Sequence, residues 1–308
     1  MRPAPDLVIA GNLLIDDIVL PDGRTLMGEP GGAALYAALA ASLWDITVGV
    51  VSVRGDDYPR HAIDALIRRG VDLSAVQPLH GPNLRTWLLY EPQGRRVLHH
   101  LGTPDHVRMS PHFAHFPEFY RDARAVHLAP MPFALQQELA RAMRRWNPRL
   151  HLAVDPFEIV RAENVSQWYE LLAQVQTWFV SEDDIAAQSD SESIALLSRA
   201  GYTLDGLVVR RLGARGGDVL DPGERFRPAH AWTPCEAKVV DTTGAGDAFA
   251  AGYLAGRVKN ESLGTCCAMG AVSASFAIEG LGPRGLLWAS PGEAQARLDR
   301  FMERGRFG

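Results

Sequence analysis

The sequence predicts an α/β fold, a central, mostly parallel sheet with helices on both faces. Apolar runs of strand length recur along the chain, and each is followed by a segment of helical pattern, the alternation that βαβ units produce. With 308 residues, 47% apolar and 22% charged, the chain can bury one sizeable core and needs no disordered region. One domain over residues 1–308 is therefore expected.

The first strand runs from Asp6 to Ala10 and stops at the turn-forming pair Gly11-Asn12. Gly31 to Leu43 (GGAALYAALAASL) reads as a helix of small residues, and Ile46 to Val53 as a buried strand ended by Arg54-Gly55-Asp56. Tyr58 to Arg69 follows as a helix closed by Gly70, a position where a left-handed residue is favoured. Thr86 to Glu91 and Arg95 to His100 flank Pro92-Gln93-Gly94, so a hairpin is expected, standing as an antiparallel flap on the parallel array.

Further strands are expected at Ala125 to Ala129, Leu150 to Asp155, Thr177 to Ser181 and Gly206 to Arg211, with helices at Phe133 to Trp146 and Ser191 to Ala200. Gly213 to Asp221 and Arg225 to Ala229 read as short antiparallel strands punctuated by Gly. Beyond the loop Val240 to Gly246 the pattern turns helical. Asp247 to Ala255 and Ser262 to Glu279 are rich in Ala, Gly, Ser and Cys, which suits helices packed closely on each other or on a ligand.

A formal net charge of −5 argues against a nucleic-acid surface, which needs a clustered basic excess. Three Cys, two of them adjacent at Cys266-Cys267, give neither a disulfide framework nor a CxxC metal motif and point to a reducing compartment. No signal-like or membrane-length apolar segment is read, so a cytoplasmic protein with no membrane partner is expected.

The stretch that carries most chemistry is Asp241-Thr242-Thr243-Gly244-Ala245-Gly246-Asp247-Ala248-Phe249, where a Gly-rich loop runs straight into a helix. The unpaired first-turn N–H groups and the positive end of the helix dipole make an anion site there, and Gly244 and Gly246 let the backbone approach a phosphate. Asp247 is the odd residue, because a carboxylate beside an anion site repels the anion unless it has another task. It either accepts the proton of an attacking hydroxyl in phosphoryl transfer or caps the helix.

DTTGAGDAFAAG resembles the C-terminal signature of the ribokinase/PfkB carbohydrate kinases, and the likeness extends over nearly the whole chain. It implies a ribokinase-like fold with a small, reduced β lid, ATP as phosphoryl donor and Mg²⁺ as its companion. By the resemblance Asp247 is the catalytic base, Gly244, Ala245 and Gly246 form the anion hole, Thr243 contacts the nucleotide, and Asp241 borders a monovalent-cation site. Gly11-Asn12-Leu13-Leu14-Ile15-Asp16 resembles the family's first strand and loop, which assigns Asn12 and Asp16 to substrate hydroxyls; an Asp after a strand is also ordinary turn chemistry. Gly31-Gly32 matches the GG motif whose backbone lies against the sugar, and Tyr36 stands where ribokinases often carry Asn. Lid segments are expected near residues 13–30 and 84–101; the first is short, so the pocket is expected to be more open or differently covered.

On the nucleotide side, Ser181-Glu182-Asp183-Asp184 occupies the place of the NxxE motif, with Ser181 at the nucleotide and Asp184 holding Mg²⁺ through water; an acidic first helical turn explains the same residues. Leu212-Gly213-Ala214-Arg215-Gly216 resembles the GAxG loop, which assigns Gly213, Ala214 and Gly216 to ATP, with Arg211 near the phosphates and Ala274, beside Ala271 and Ser275, near adenine.

Walker, dinucleotide and HExxH motifs are absent, which removes P-loop, dehydrogenase and zinc-peptidase readings. Three functions remain: a sugar or polyol kinase, a nucleoside kinase of the same fold, and a non-catalytic sugar or nucleotide binder. Asp247 disfavours the last. A nucleoside needs an aromatic platform, and Leu13, Leu14, Ala33, Ala34 and Tyr36 around the substrate motifs offer one ring, with Trp87 and Tyr90 of the hairpin in reserve. A compact polyhydroxylated substrate is therefore expected first, acted on by a monomer or homodimer.

Overall fold

The computed structural model describes residues 2–91 and 94–305. In chain order the elements are β1 (Leu7–Ala10), β2 (Leu14–Val19), β3 (Thr25–Gly31), α1 (Ala33–Ala41), β4 (Val48–Gly55), α2 (Arg60–Arg68), β5 (Asp72–Leu79), β6 (Arg85–Glu91), β7 (Gly94–His99), α3 (His106–Met109) and β8 (Ala125–Leu128). There follow α4 (Phe133–Trp146), β9 (His151–Val154), α5 (Val165–Leu172), β10 (Thr177–Ser181), α6 (Asp190–Ala200), β11 (Leu207–Arg211), β12 (Gly217–Asp221) and β13 (Arg227–Trp232). The chain closes with α7 (Ala245–Val258), α8 (Leu263–Ala277), α9 (Arg284–Trp288) and α10 (Pro291–Gly305).

Nine strands form the main sheet in the order β13-β12-β11-β10-β9-β8-β1-β4-β5. It is parallel from β11 to β5 and antiparallel only at β12 and β13. The sheet is covered on both faces because its central strands are apolar throughout. Along β1, Leu7 and Ile9 enter the core shared with α1, α7 and α8, while Val8 and Ala10 enter the one shared with α4, α5 and α6. The small residues of α7 and α8 let their backbones meet: a Cβ on Gly252 would stand 2.3 Å from Ser273 Oγ. Strand order reverses between β1 and β8, so the crevice beyond their carboxyl ends is where an open α/β sheet takes a ligand.

A second sheet, β3-β2-β6-β7, stands over that crevice. The short segment after Leu13 holds both β2 and β3 in full, so the expectation of little lid length there is corrected. These strands were hidden because LIDDIV carries two central acids and TLMGEPG carries turn residues. Asp17 is nevertheless fully buried. Arg85 Nε and Nη2 donate to its oxygens at 2.6 and 2.7 Å, Gly28 N–H at 2.7 Å, and His100 Nε2 lies 2.8 Å away. The Arg85 and Gly28 bonds and the His100 ring hold its carboxyl below the usual range in spite of burial.

The helix expected from Gly31 begins instead at Ala33: Gly31 ends β3, and Gly32 is the N-cap at φ 96. The strand expected from Gly213 begins at Gly217, after one tight turn over Gly213–Arg215. β6 and β7 pair as the expected hairpin; its turn residues Pro92 and Gln93 lie outside the described residues. β5, α5 and α10 are further elements that the sequence pattern did not single out. Among the described residues no helix is long and apolar enough to cross a membrane.

Candidate active site

The anion-site motif lies at the start of α7, and its geometry decides between the two uses of Asp247. Gly244 is the N-cap, in the left-handed region at φ 75, and Asp247 sits in the first turn at the third helical position, so Asp247 is not the cap. A Cβ at residue 244 would stand 2.0 Å from Cδ1 of Tyr36, whose ring is packed against the loop. Of the three residues assigned to an anion hole, Ala245 donates its N–H to Thr242 O at 3.2 Å, whereas Gly246, at the second helical position, has no intrahelical acceptor.

Asp241 and Thr243 brace this loop. Asp241 is 2% exposed; its Oδ1 accepts from Thr243 N–H at 2.8 Å and from the Tyr90 hydroxyl, and its Oδ2 accepts from Gly282 N–H at 2.9 Å. Thr243 Oγ1 lies 2.7 Å from the same Tyr90 hydroxyl. The carboxylate expected beside a monovalent cation is thus met by protein donors on both oxygens.

On the acceptor side, Asp16 is buried on β2, and its Oδ1 accepts from Thr86 Oγ1 at 2.5 Å. Gly31 is the residue that makes room for it, since a Cβ there would be 1.9 Å from Asp16 Oδ2. Gly32 is equally constrained: a Cβ would meet Asn12 O at 2.3 Å. Asn12 is buried at the switch point; its Oδ1 accepts from Ser110 Oγ at 3.0 Å, and its Nδ2 lies 3.0 Å from His106 Nδ1. Tyr36 joins this side to the phosphate loop. Its hydroxyl is buried with no hydrogen-bond partner among the described residues, and burial together with Asp16 and Asp241 pushes its ionisation well above the ordinary tyrosine range.

Three rings gather beside Asn12 that the sequence did not place there. His106 lies 4.9 Å from His99 edge-on and 5.2 Å from Phe157, and Phe157 is 48% exposed. Burial, reinforced by His99, lowers His106 to about 4, so its ring is neutral. With Asn12 Nδ2 as donor to Nδ1, the remaining proton sits on Nε2. The hairpin held in reserve thus supplies one ring, His99 of β7, and residues far apart in sequence supply His106 and Phe157.

On the nucleotide side, Arg211 does not reach into open space. Its Nη1 and Nη2 donate to the two Asp155 oxygens at 2.7 and 2.8 Å, and Nη1 also donates to Gly246 O at 2.9 Å. Asp184 Oδ2 lies 3.8 Å from Nη2, accepts from Ser181 N–H at 2.7 Å, and forms a capping box with Ser181. Burial and the neighbouring Asp155 raise Asp184 to about 6. Gly213 and Gly216, at φ 56 and 82, shape the GAxG turn around Ala214, and Gly216 O accepts from Leu212 N–H at 2.8 Å. Ala274 is half-buried on α8 at the edge of the core that holds Phe249 and Phe276, as Trp232 and Cys235 also are, while Ser275 turns inward, donating to Val272 O at 2.6 Å.

The chain is similar to known proteins over nearly its whole length. The model of the pfkB family carbohydrate kinases matches residues 9–289. A cytidine kinase of Thermococcus kodakarensis is 30% identical over 86% of this chain and 93% of its own. A fructoselysine 6-kinase of Escherichia coli is 27% identical over 81% and 89%. A ribokinase of Arabidopsis thaliana, solved with ribose and ATP, superposes with a TM-score of 0.73 over 96% of this chain and 99% of that one, at 19% identity.

Proposed function

The chain belongs to the pfkB family of carbohydrate kinases, and from that premise we propose that it transfers the γ-phosphoryl of ATP to a ribose hydroxyl of a nucleoside, with Asp247 as the base. The observation that carries the reading is the junction at Gly244–Asp247, where a Gly-rich loop capped by Gly244 enters α7 and sets the Asp247 carboxylate at the third helical position, beside the first-turn N–H groups. Asp247 takes the proton of the acceptor hydroxyl while the Gly246 N–H and the helix dipole stabilise charge on the transferring group. Asp16, Asn12 and the backbone at Gly31 and Gly32 orient the sugar. Tyr36, with its unpartnered hydroxyl between the two motifs, donates to substrate.

Ser181, Gly213, Ala214 and Gly216 border the ATP phosphates, Ala274 borders adenine, and Thr243 and Arg211 act by fixing the loop. The residues present suit Mg²⁺: Asp184 is a half-exposed hard-oxygen donor that burial and the neighbouring Asp155 hold partly protonated, a cation would favour its charged form, and the ion would be held by Asp184 through water and by the phosphates. Bound there, it neutralises phosphate charge.

The nucleoside assignment rests on His99, His106 and Phe157 beside Asn12, rings that can flank a base, and is supported by the cytidine kinase relative. A sugar without a base is the second reading, favoured by the fructoselysine kinase relative and the half-exposed Phe157. ADP release with cytidine, adenosine, ribose, fructose and myo-inositol separates them. A nucleoside is expected to show the highest kcat/KM, lowered in Phe157→Ala; turnover of free sugars with every nucleoside inert establishes the second reading instead.

A further inference from the structure

One strand of the small sheet touches both ends of the reaction centre. Thr86 of β6 donates to Asp16 Oδ1, and Tyr90, on the same strand, donates to Asp241 Oδ1 and lies 2.7 Å from Thr243 Oγ1. An even spacing puts both side chains on one face of the strand, roughly 13 Å apart at about 3.3 Å per residue. A single stiff segment thus spans from the acceptor carboxylate to the loop that enters α7.

The three donors on Asp241 also bear on the monovalent cation implied by the family. Two backbone N–H groups and a phenol point their positive ends at its two oxygens, which opposes a cation and supplies the neutralisation a cation would give. The residues do not fit the cation.

We infer that Tyr90 is a positioning residue that locks the phosphate loop to the small sheet, so that covering the acceptor sets the loop for transfer and no monovalent cation is needed. The inference rests on the proposed role of the 244–247 loop. Asp16 pairs with Thr86 and Glu29 across β2, so an acceptor that orders Asp16 also fixes β6, and Tyr90 carries that order to Asp241 and Thr243. Removing the phenol leaves Asp241 Oδ1 with the Thr243 N–H alone among these donors and removes the Tyr90 hydroxyl's link between loop and sheet.

The test is Tyr90→Phe, which keeps the ring and deletes the donor. Wild-type turnover is expected to be equal in potassium, sodium and choline chloride, and Tyr90→Phe to lower kcat about tenfold to a hundredfold, as for loss of one charge-assisted hydrogen bond, with ATP affinity unchanged and the melting temperature slightly lowered. Hydrogen exchange of the amides of residues 242–246 is expected to quicken in the ligand-free variant. Strong activation of the wild type by potassium, or a variant with wild-type kcat, overturns the inference. If no acceptor is turned over, the functional reading has failed and exchange alone decides: unchanged exchange overturns the coupling, and faster exchange upholds it.

Discussion

Arg211 Nη1 lies 2.9 Å from the carbonyl oxygen of Gly246, so the last backbone oxygen before Asp247 is held by a guanidinium that also grips both oxygens of Asp155. The fork joins the carboxyl end of β11, the residue after β9 and the first turn of α7. Arg211 is 10% and Asp155 4% exposed at their side chains. Lysine cannot span three acceptors in a plane. Arg211→Lys is expected to fold and to lose kcat about tenfold, while Arg211→Met strands Asp155 and Asp184 and destabilises by about 3–5 kcal/mol. Denaturant midpoints and turnover of the two variants check this; a Met variant of wild-type midpoint refutes the bracing role.

Asp247→Asn removes the carboxylate without touching the helix cap, which belongs to Gly244. A loss of kcat of about 100-fold to 10,000-fold is expected, with ATP binding by calorimetry unchanged. Near-normal turnover in this variant rules out Asp247 as the base.

Gly31→Ala tests the acceptor site through its neighbour. The new methyl would stand 1.9 Å from Asp16 Oδ2 and force the carboxylate aside. KM for the acceptor is expected to rise about tenfold, the worth of one hydrogen bond to a charged group, with KM for ATP unchanged. Equal damage to both substrates would show that the change spreads beyond Asp16.

Sequence patterning reached the parallel array and the loop before α7 because both obey local rules: apolar runs make strands, and a Gly-rich turn opens a helix. It stopped where partners come from distant segments. β2 looked like a loop because Asp17 needs Arg85 and His100 to be buried, and neither is its neighbour in sequence. Tyr90 and Asp155 read as an ordinary strand residue and a strand end; only the fold sets them against Asp241 and Arg211. The rings beside Asn12 were missed for the same reason, since His99, His106 and Phe157 lie on β7, α3 and the loop after β9.

His127 gives the chain an acid limit. It lies on β8, fully buried, with neither ring nitrogen hydrogen-bonded among the described residues and its edge toward Phe179. Burial, aided by the Arg211 charge and opposed by Asp155, lowers it to about 4. Above the ordinary histidine value near 6.5, both folded and unfolded chains carry it neutral, and it adds no pH dependence. As pH falls from about 6.5 toward 4, the unfolded chain binds a proton that the folded one refuses, so stability drops; below that window both are charged and the loss levels off. The shift corresponds to about 2 kcal/mol between pH 7.5 and pH 5. His106 and His151, each also lowered to about 4 by burial, act in the same direction. His127→Leu removes one share of the loss and two unpartnered nitrogens together. Its urea midpoint is expected to fall less than that of the wild type between pH 7.5 and pH 5, whereas parallel midpoint curves would show that His127 is protonated equally in both states.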